Sequence, residues 1–454
     1  MLFLILSFLL ALPIVNSIRR SRGNLLSAIN LFCVLYMISF AIVPILIGLS
    51  LVSDDPAYAG YEKICGLKAR ILSIVALLAV YCSYYLGRTA SRNISQLLPR
   101  FDRVLNERRA RLTVIMIWIV STVSFVFFIK NSSLNVGHFS EHFIYTNVST
   151  FGNGHIRILC YSFTFASVLC VIAIFSQRIE RREFFMFFLV LGTLLAILTR
   201  SRGQVIYLLF VALIARNYRV RRLTVLHLAI VFILVLAISF SIAQFRGRKD
   251  FSVTRDNMYE SFGGLFTEYQ ATAALLSEYE TQRLGHFHGR LIFEDLVMSL
   301  IPRRIWREKP ELYGGVLLTN ILVPNRQDGF YYTVGPFGTA FADFGYLGVM
   351  LAMLFAGLLL RIADDYMGRN RENDYILLIY AICCFCIWTF LRGGFSALPT
   401  LLQTLIPAVM VYFFASQPTM RSTPVASRGS MGGIRRCCMP SGSAIPDEVG
   451  VEAK

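Results

Sequence analysis

The stretch Phe337–Leu360 reads FGTAFADFGYLGVMLAMLFAGLLL, 24 residues with a single charged side chain, Asp343. About 20 predominantly apolar residues suffice to cross a bilayer as a helix, so this stretch is read as a membrane span. Ten further runs share its character: Leu2–Ile18, Leu25–Val52, Ile71–Leu86, Leu112–Ile129, Ile156–Phe175, Phe184–Leu198, Gln204–Ala215, Leu223–Phe245, Tyr375–Phe390 and Pro399–Phe414. Composition agrees. Of 454 residues, 56% are hydrophobic, and the mean hydropathy is +0.60. Yet 44 Lys and Arg face 27 Asp and Glu, for a net charge of +17. A soluble protein would have to bury either the charge or the apolar surface. A polytopic membrane protein separates them, with apolar spans and basic loops. That excludes a soluble enzyme, a disordered chain and a disulfide-rich secreted module, and leaves the basic balance a poor argument for nucleic acid. Seven of the ten cysteines fall inside apolar runs, and no CxxC pair or Cys/His ligand spacing occurs. Free thiols are expected, with no metal and no cofactor.

Orientation follows from Lys and Arg in short loops. Arg19–Arg22, RRSR, follows the first span and resists translocation, which places the N-terminus outside (periplasmic). A cleaved signal peptide would carry its positive charge before the apolar run. Alternation then puts segments 19–24, 87–111, 176–183, 216–222, 361–374 and the tail on the inner side, where they hold 25 of the basic residues. Eleven more lie in the long loop 246–336, which the rule exempts, and only eight remain outside. The expected organisation is spans 1–8 over 1–245, a periplasmic loop over 246–336, spans 9–11 over 337–414 and a disordered cytoplasmic tail over 415–454. Phe184–Ala215 is short for two full spans. Because the loops on both flanks are basic, two short, tilted or re-entrant helices are expected, with the turn TRSRG, Thr199–Gly203, at or below the outer membrane surface. In the long loop, Tyr259, Phe262, Phe266, Tyr269, Ala273 and Leu276 follow helical spacing. They predict an amphipathic helix that lies on the outer leaflet or packs on the spans.

The informative residues are basic groups outside the membrane. Arg200 and Arg202 sit in the short outer turn beside Gly203. Arg290, Arg303, Arg304, Arg307 and Lys309 cluster in the long loop, and Arg157 and Arg392 lie at outer span ends. Guanidinium binds diphosphate in bidentate fashion and stays charged in partly dry sites. Snorkelling to lipid headgroups is the simpler account of any one arginine. The pair at Arg200 and Arg202 favours function, since a short outer turn has no need of charge. His286, His288, Glu294, Asp295 and Asp343 are candidate acids or bases, with His138, His142 and His155 in another outer loop. Asp343, a turn or two inside its span, needs a partner there. An arginine would be a structural one, and proton or ion coupling is the other reading. Tyr313, Tyr331, Tyr332, Trp306 and Phe330 suit sugar stacking as well as an interfacial belt.

Two segments carry a resemblance: SLIPRRIWREKPELYGG, Ser299–Gly315, and the Asp343–Gly348 entry to the following span. With the Ser201–Gly203 turn and the single large outer loop, the chain resembles the bacterial O-antigen or oligosaccharide repeat-unit polymerases. Ile301, Pro302, Arg303, Trp306, Lys309 and Pro310 match the first family segment. Phe344, Gly345 and Gly348 match the second, with Asp343 where Asn is common. The pairs Arg303–Gly314 and Arg304–Gly315 satisfy the Arg-x10-Gly pattern associated with such enzymes. The resemblance implies an all-α membrane glycosyltransferase of the GT-C type in the bacterial inner membrane. It would act on undecaprenyl-diphosphate-linked glycans, need no cofactor, and work with a chain-length regulator and a flippase as partners. The implied catalytic residues are Arg202, Arg303, Arg304, His288 and Glu294. The implied substrate-binding residues are Arg200, Arg290, Lys309, Tyr313, Tyr332 and Asp343. Competing readings are an O-antigen ligase of the same architecture, a lipid-linked oligosaccharide transporter and a structural membrane protein. The absence of repeated halves argues against the transporter.

Overall fold

The computed structural model describes residues 2–19, 24–49, 61–98, 103–131, 159–176, 178–198, 202–220, 222–228, 230, 233–234, 237, 268–297, 301, 305–306, 314–322 and 334–418. The described chain is almost wholly helical. Helix α1 is Leu2–Arg19. Helix α2, Ala28–Met37, runs through a π-helical turn, Ile38–Ile42, into α3, Val43–Gly48. Then come α4 (Tyr61–Leu86), α5 (Arg88–Leu97), α6 (Glu107–Asn131), α7 (Phe163–Phe175), α8 (Arg182–Leu198) and α9 (Arg202–Arg219). The loop region contributes α10 (Glu268–Glu280), α11 (Arg290–Leu296) and α12 (Gly314–Leu322). The chain continues with α13 (Gly335–Arg369), α14 (Asp374–Gly393), a 3-10 turn at Gly394–Ser396, and α15 (Ala397–Ala415). One departure from the all-α expectation is a small antiparallel pair, β1 (Arg103–Leu105) with β2 (Ser416–Pro418).

Six helical stretches among the described residues are long and apolar enough to cross a membrane: Leu2–Arg19, Ala28–Ile47, Cys65–Leu86, Glu107–Phe127, Gly335–Arg369 and Asp374–Ala415. The protein is a mostly helical, multi-pass membrane protein. The eighth expected span, Leu223–Phe245, falls mostly outside the described residues. Helix α6 shows why the outer surface is apolar. It buries Ala110, Ser121 and Ser124 while exposing Met116, Val123 and Val126. A soluble helix would reverse that arrangement, whereas lipid accepts apolar side chains and polar ones must find partners inside. Ser121 does so by donating to the Cys160 carbonyl at 2.6 Å. Close helix crossings use small residues. On α13, Gly357 leaves only the space that the Val80 carbonyl and Ser83 hydroxyl of α4 fill. The centre is aromatic, with Phe40 and Phe337 ring centroids 4.6 Å apart and Tyr36 close to both.

The segments expected on the inner side meet at one end of the bundle. Asn217 donates to Asn24 at 2.7 Å, and Arg219 pairs with Asp374 at 2.5 Å. Ser176 donates to the same Asp374 at 3.0 Å, and the Glu180 amide to Glu107 at 3.1 Å. Ser91 reaches Asp365 at 2.7 Å, and Arg103 reaches Ser416 at 2.9 Å. The short region 184–215 is two helices, α8 and α9; α9 already begins at Arg202, so Arg202 and Gly203 of the expected TRSRG turn belong to its first turn, while 199–201 lie outside the described residues.

One expectation is revised and another is narrowed. The stretch Phe337–Leu360 is not one straight span: α13 is broken at Gly345, whose φ of 64° and ψ of −149° are non-helical. The chain reverses there so sharply that a Cβ on Gly348 would stand 2.3 Å from the Ala340 carbonyl oxygen. Of the two placements expected for the helix in the long loop, the structure has the one packed on the spans. Every residue of α10 from Glu268 to Ser277 is buried, and the helix packs on α4. Tyr259, Phe262 and Phe266 of that pattern lie outside the described residues.

Candidate functional site

The broken end of α13 organises the other end of the bundle. A helix that stops leaves carbonyls without intrahelical donors. Here the 285–297 segment supplies them. The Phe287 amide donates to the Ala342 carbonyl and the His288 amide to the Asp343 carbonyl, both at 3.0 Å. The Tyr279 hydroxyl lies 2.9 Å from the Ala342 oxygen, and His286 Nδ1 lies 3.3 Å from it. The Asp343 side chain completes the seam by accepting from the first amides of α11, Leu291 at 3.1 Å and Ile292 at 2.8 Å. Its partners are therefore backbone amides at a helix N-terminus rather than the arginine considered from the sequence. Burial, with the Asp343 charge nearby, pushes the Tyr279 phenol up to about 12, so it stays a neutral donor.

The remaining candidates divide. Glu294 is held by Arg290 at 2.7 Å, with the carboxylate 3% exposed and the guanidinium group 64% exposed. His286 and His288 are both exposed, and His288 has a left-handed backbone with φ 52°. Asp295 is buried. Arg202 opens α9, and only its backbone is described. Arg200, Arg303, Arg304, Lys309, Tyr313 and Tyr332 lie outside the described residues, as do His138, His142, His155 and Arg157.

One group was not picked out from the sequence. Glu268 opens α10, a helix too short to span, and is 2% exposed. Its Oε2 has no hydrogen-bond partner among the described residues. Burial pushes its carboxyl up to about 7, against the pull of Arg392 and of hydrogen bonds from its own backbone and Ser39. Gly335 (φ 66°) lies against its side chain, and Gly394 (φ 64°) lies against Gly335. The π-helical turn carrying Ser39 is a further irregularity at the same place. The sequence signal was slight: one carboxylate ahead of the run YQATAALLS.

An apolar cavity of about 400 Å³ lies between α13, α14 and α15, lined among others by Phe355, Ala363, Cys383, Phe390, Phe395 and Leu401. Among the described residues, no three His, Cys, Asp or Glu side chains gather as metal ligands.

A family model described as an O-antigen polymerase matches residues 1–389. The chain belongs to the O-antigen polymerase family. It is similar to the O-antigen polymerases of Salmonella typhimurium (strain LT2) and Salmonella typhi. Each is 27% identical over 178 residues, 37% of this chain. The matched part spans 40% of the length of either relative. No solved structure matches the chain. The family match spans both the SRG segment at Ser201–Gly203 and the Asp343–Gly348 break.

Proposed function

We propose that the protein polymerises oligosaccharide repeat units carried on undecaprenyl diphosphate into a surface polysaccharide. The reaction is a glycosyl transfer at the outer face of the bacterial inner membrane. The observation that carries this reading is the polar cluster at the broken end of α13, in a chain that matches the O-antigen polymerase family over residues 1–389. The basic segments meeting at the opposite bundle end support an orientation with that end, and the C-terminus, in the cytoplasm. The N-terminus is then periplasmic, and the loop around α10–α12 faces the periplasm. Eleven spans and a GT-C-like arrangement belong to the same reading.

The chemistry sets what the residues must do. The growing glycan is the donor. A hydroxyl of the incoming repeat unit attacks its anomeric carbon, and the bond to the diphosphate oxygen breaks. The leaving diphosphate gains negative charge as that bond lengthens. Arginines placed beforehand stabilise it more in the transition state than in the ground state. Arg202, Arg303 and Arg304 take this role, with Arg200, Arg290 and Lys309 holding the substrate. Tyr313 and Tyr332 stack on sugar rings. Asp343 acts one step back, by fixing the segment that carries His286, His288, Arg290 and Glu294 onto the helix break. The diphosphate lipid supplies the activated sugar, so no nucleotide sugar enters. The apolar cavity beside α13–α15 provides room for a prenyl chain. A chain-length regulator and a flippase are the expected partners.

Gene deletion tests the reading. A polymerase loss leaves single repeat units on the cell surface. Complete absence of surface glycan would point to a ligase or flippase, and unchanged long chains would reject the reading.

A further inference from the structure

Resting on the polymerase reading, we propose that His286 accepts the proton of the attacking sugar hydroxyl through Nε2. A base needs a lone pair of known position, and His286 is the exposed titratable side chain of this cluster that has one. Its Nδ1 faces the Ala342 carbonyl at 3.3 Å. A carbonyl oxygen only accepts, so Nδ1 carries the hydrogen and the lone pair resides on Nε2. The ring cannot turn freely. It stacks on Tyr279 at 4.9 Å with 26° between planes, and Phe341 stands edge-on at 6.0 Å. The Tyr279 hydroxyl is within reach of the Ala342 and Gly285 carbonyls, at 2.9 and 3.1 Å. Ring and support are thus both tied to the broken end of α13. The Cε1–Nε2 edge looks toward Gly345, where a Cβ would stand 3.4 and 3.5 Å from those atoms. Glycine at that position leaves the edge uncovered for a ligand oxygen.

The neighbouring carboxylates are buried away from a substrate hydroxyl. Both Asp343 oxygens cap α11, and Asp343 is fully buried. Glu294 is 3% exposed and bound to Arg290. The His288 ring has no such tether among the described residues. Arg290 stands exposed across the same turn as His286, where a guanidinium group suits an anionic leaving group. In the step itself, the acceptor oxygen bonds to the anomeric carbon as the bond to the diphosphate oxygen breaks with its electron pair. The hydroxyl proton passes to Nε2. The imidazolium keeps its Nδ1 bond to Ala342 and returns the proton to water.

The test uses the full-length protein in nanodiscs and the lipid-linked repeat unit extracted from cells lacking this gene. Elongation is followed by gel ladder. His286→Ala is expected to elongate about 100-fold more slowly or worse, the usual loss for a positioned base. Added imidazole should restore part of that rate, which it would not do for a purely structural histidine. His227→Ala, at the far end of the bundle, is expected to match the wild type. Wild-type rates for His286→Ala would overturn the assignment. So would a loss confined to His288→Ala, or a slow His286→Ala protein that imidazole does not rescue. If the wild type makes no ladder at all, the polymerase reading itself fails, and this assignment fails with it.

Discussion

Glu268, buried with one oxygen unpartnered among the described residues, holds its proton more tightly than a solvated carboxylate does. Its folded-state carboxyl is raised from 4.5 to about 7, chiefly by burial. The folded protein therefore binds this proton more tightly than the unfolded chain does. The resulting stability is fully present below about pH 4.5 and is lost as pH rises to about 7. Glu268→Gln mimics the neutral form and removes that slope. In detergent, the wild-type melting temperature should fall between pH 5 and 8 relative to that of Glu268→Gln, by an amount corresponding to about 2–3 kcal/mol. Parallel curves for the two proteins would contradict the account. The sequence displayed Asp343, His286, Arg290 and Glu294 as polar residues in an outer region, and they do lie together. Glu268 was illegible there, because its state depends on Ser39 and Arg392, which come from elements far away in the chain.

At the scale of elements, the break in α13 is the decisive feature. A hydropathy reading sees Phe337–Leu360 as continuous, because apolar content does not record backbone direction. The break depends on Gly345, whose φ of 64° with ψ of −149° is nearly closed to residues with a Cβ. Gly345→Ala should cost about 1–3 kcal/mol of stability and disturb the seam with 285–297. Gly368→Ala serves as the contrast. It lies in the same helix with nothing within 4 Å of an added Cβ, and should be neutral or stabilising. Thermal unfolding of the two variants checks this, and equal stabilities would count against the turn. Helical spacing correctly marked a helix around Tyr269 and Leu276. It could not show that α4 covers that helix, because the periodicity of one segment says nothing about its neighbour.

At the scale of the whole molecule, the charge pattern was the most legible feature. Segments 19–24, 87–111, 176–183, 216–222 and 361–374 are far apart in sequence, yet hydrogen bonds join them at one bundle end. Lys and Arg counts reveal this grouping because membrane insertion sorts basic loops to one side. The arginines of the long loop obey no such rule, so their partners could not be read in advance. With +17 over the chain, net charge describes topology, while the proposed function rests on the few basic groups expected on the outer side. The most direct measurement incubates purified protein with an undecaprenyl-diphosphate-linked repeat unit and no added metal or nucleotide sugar. The account predicts a ladder of longer lipid-linked glycans from the wild type and none from Arg202→Ala. Failure of the wild type to extend the unit, or an identical ladder from Arg202→Ala, would contradict it.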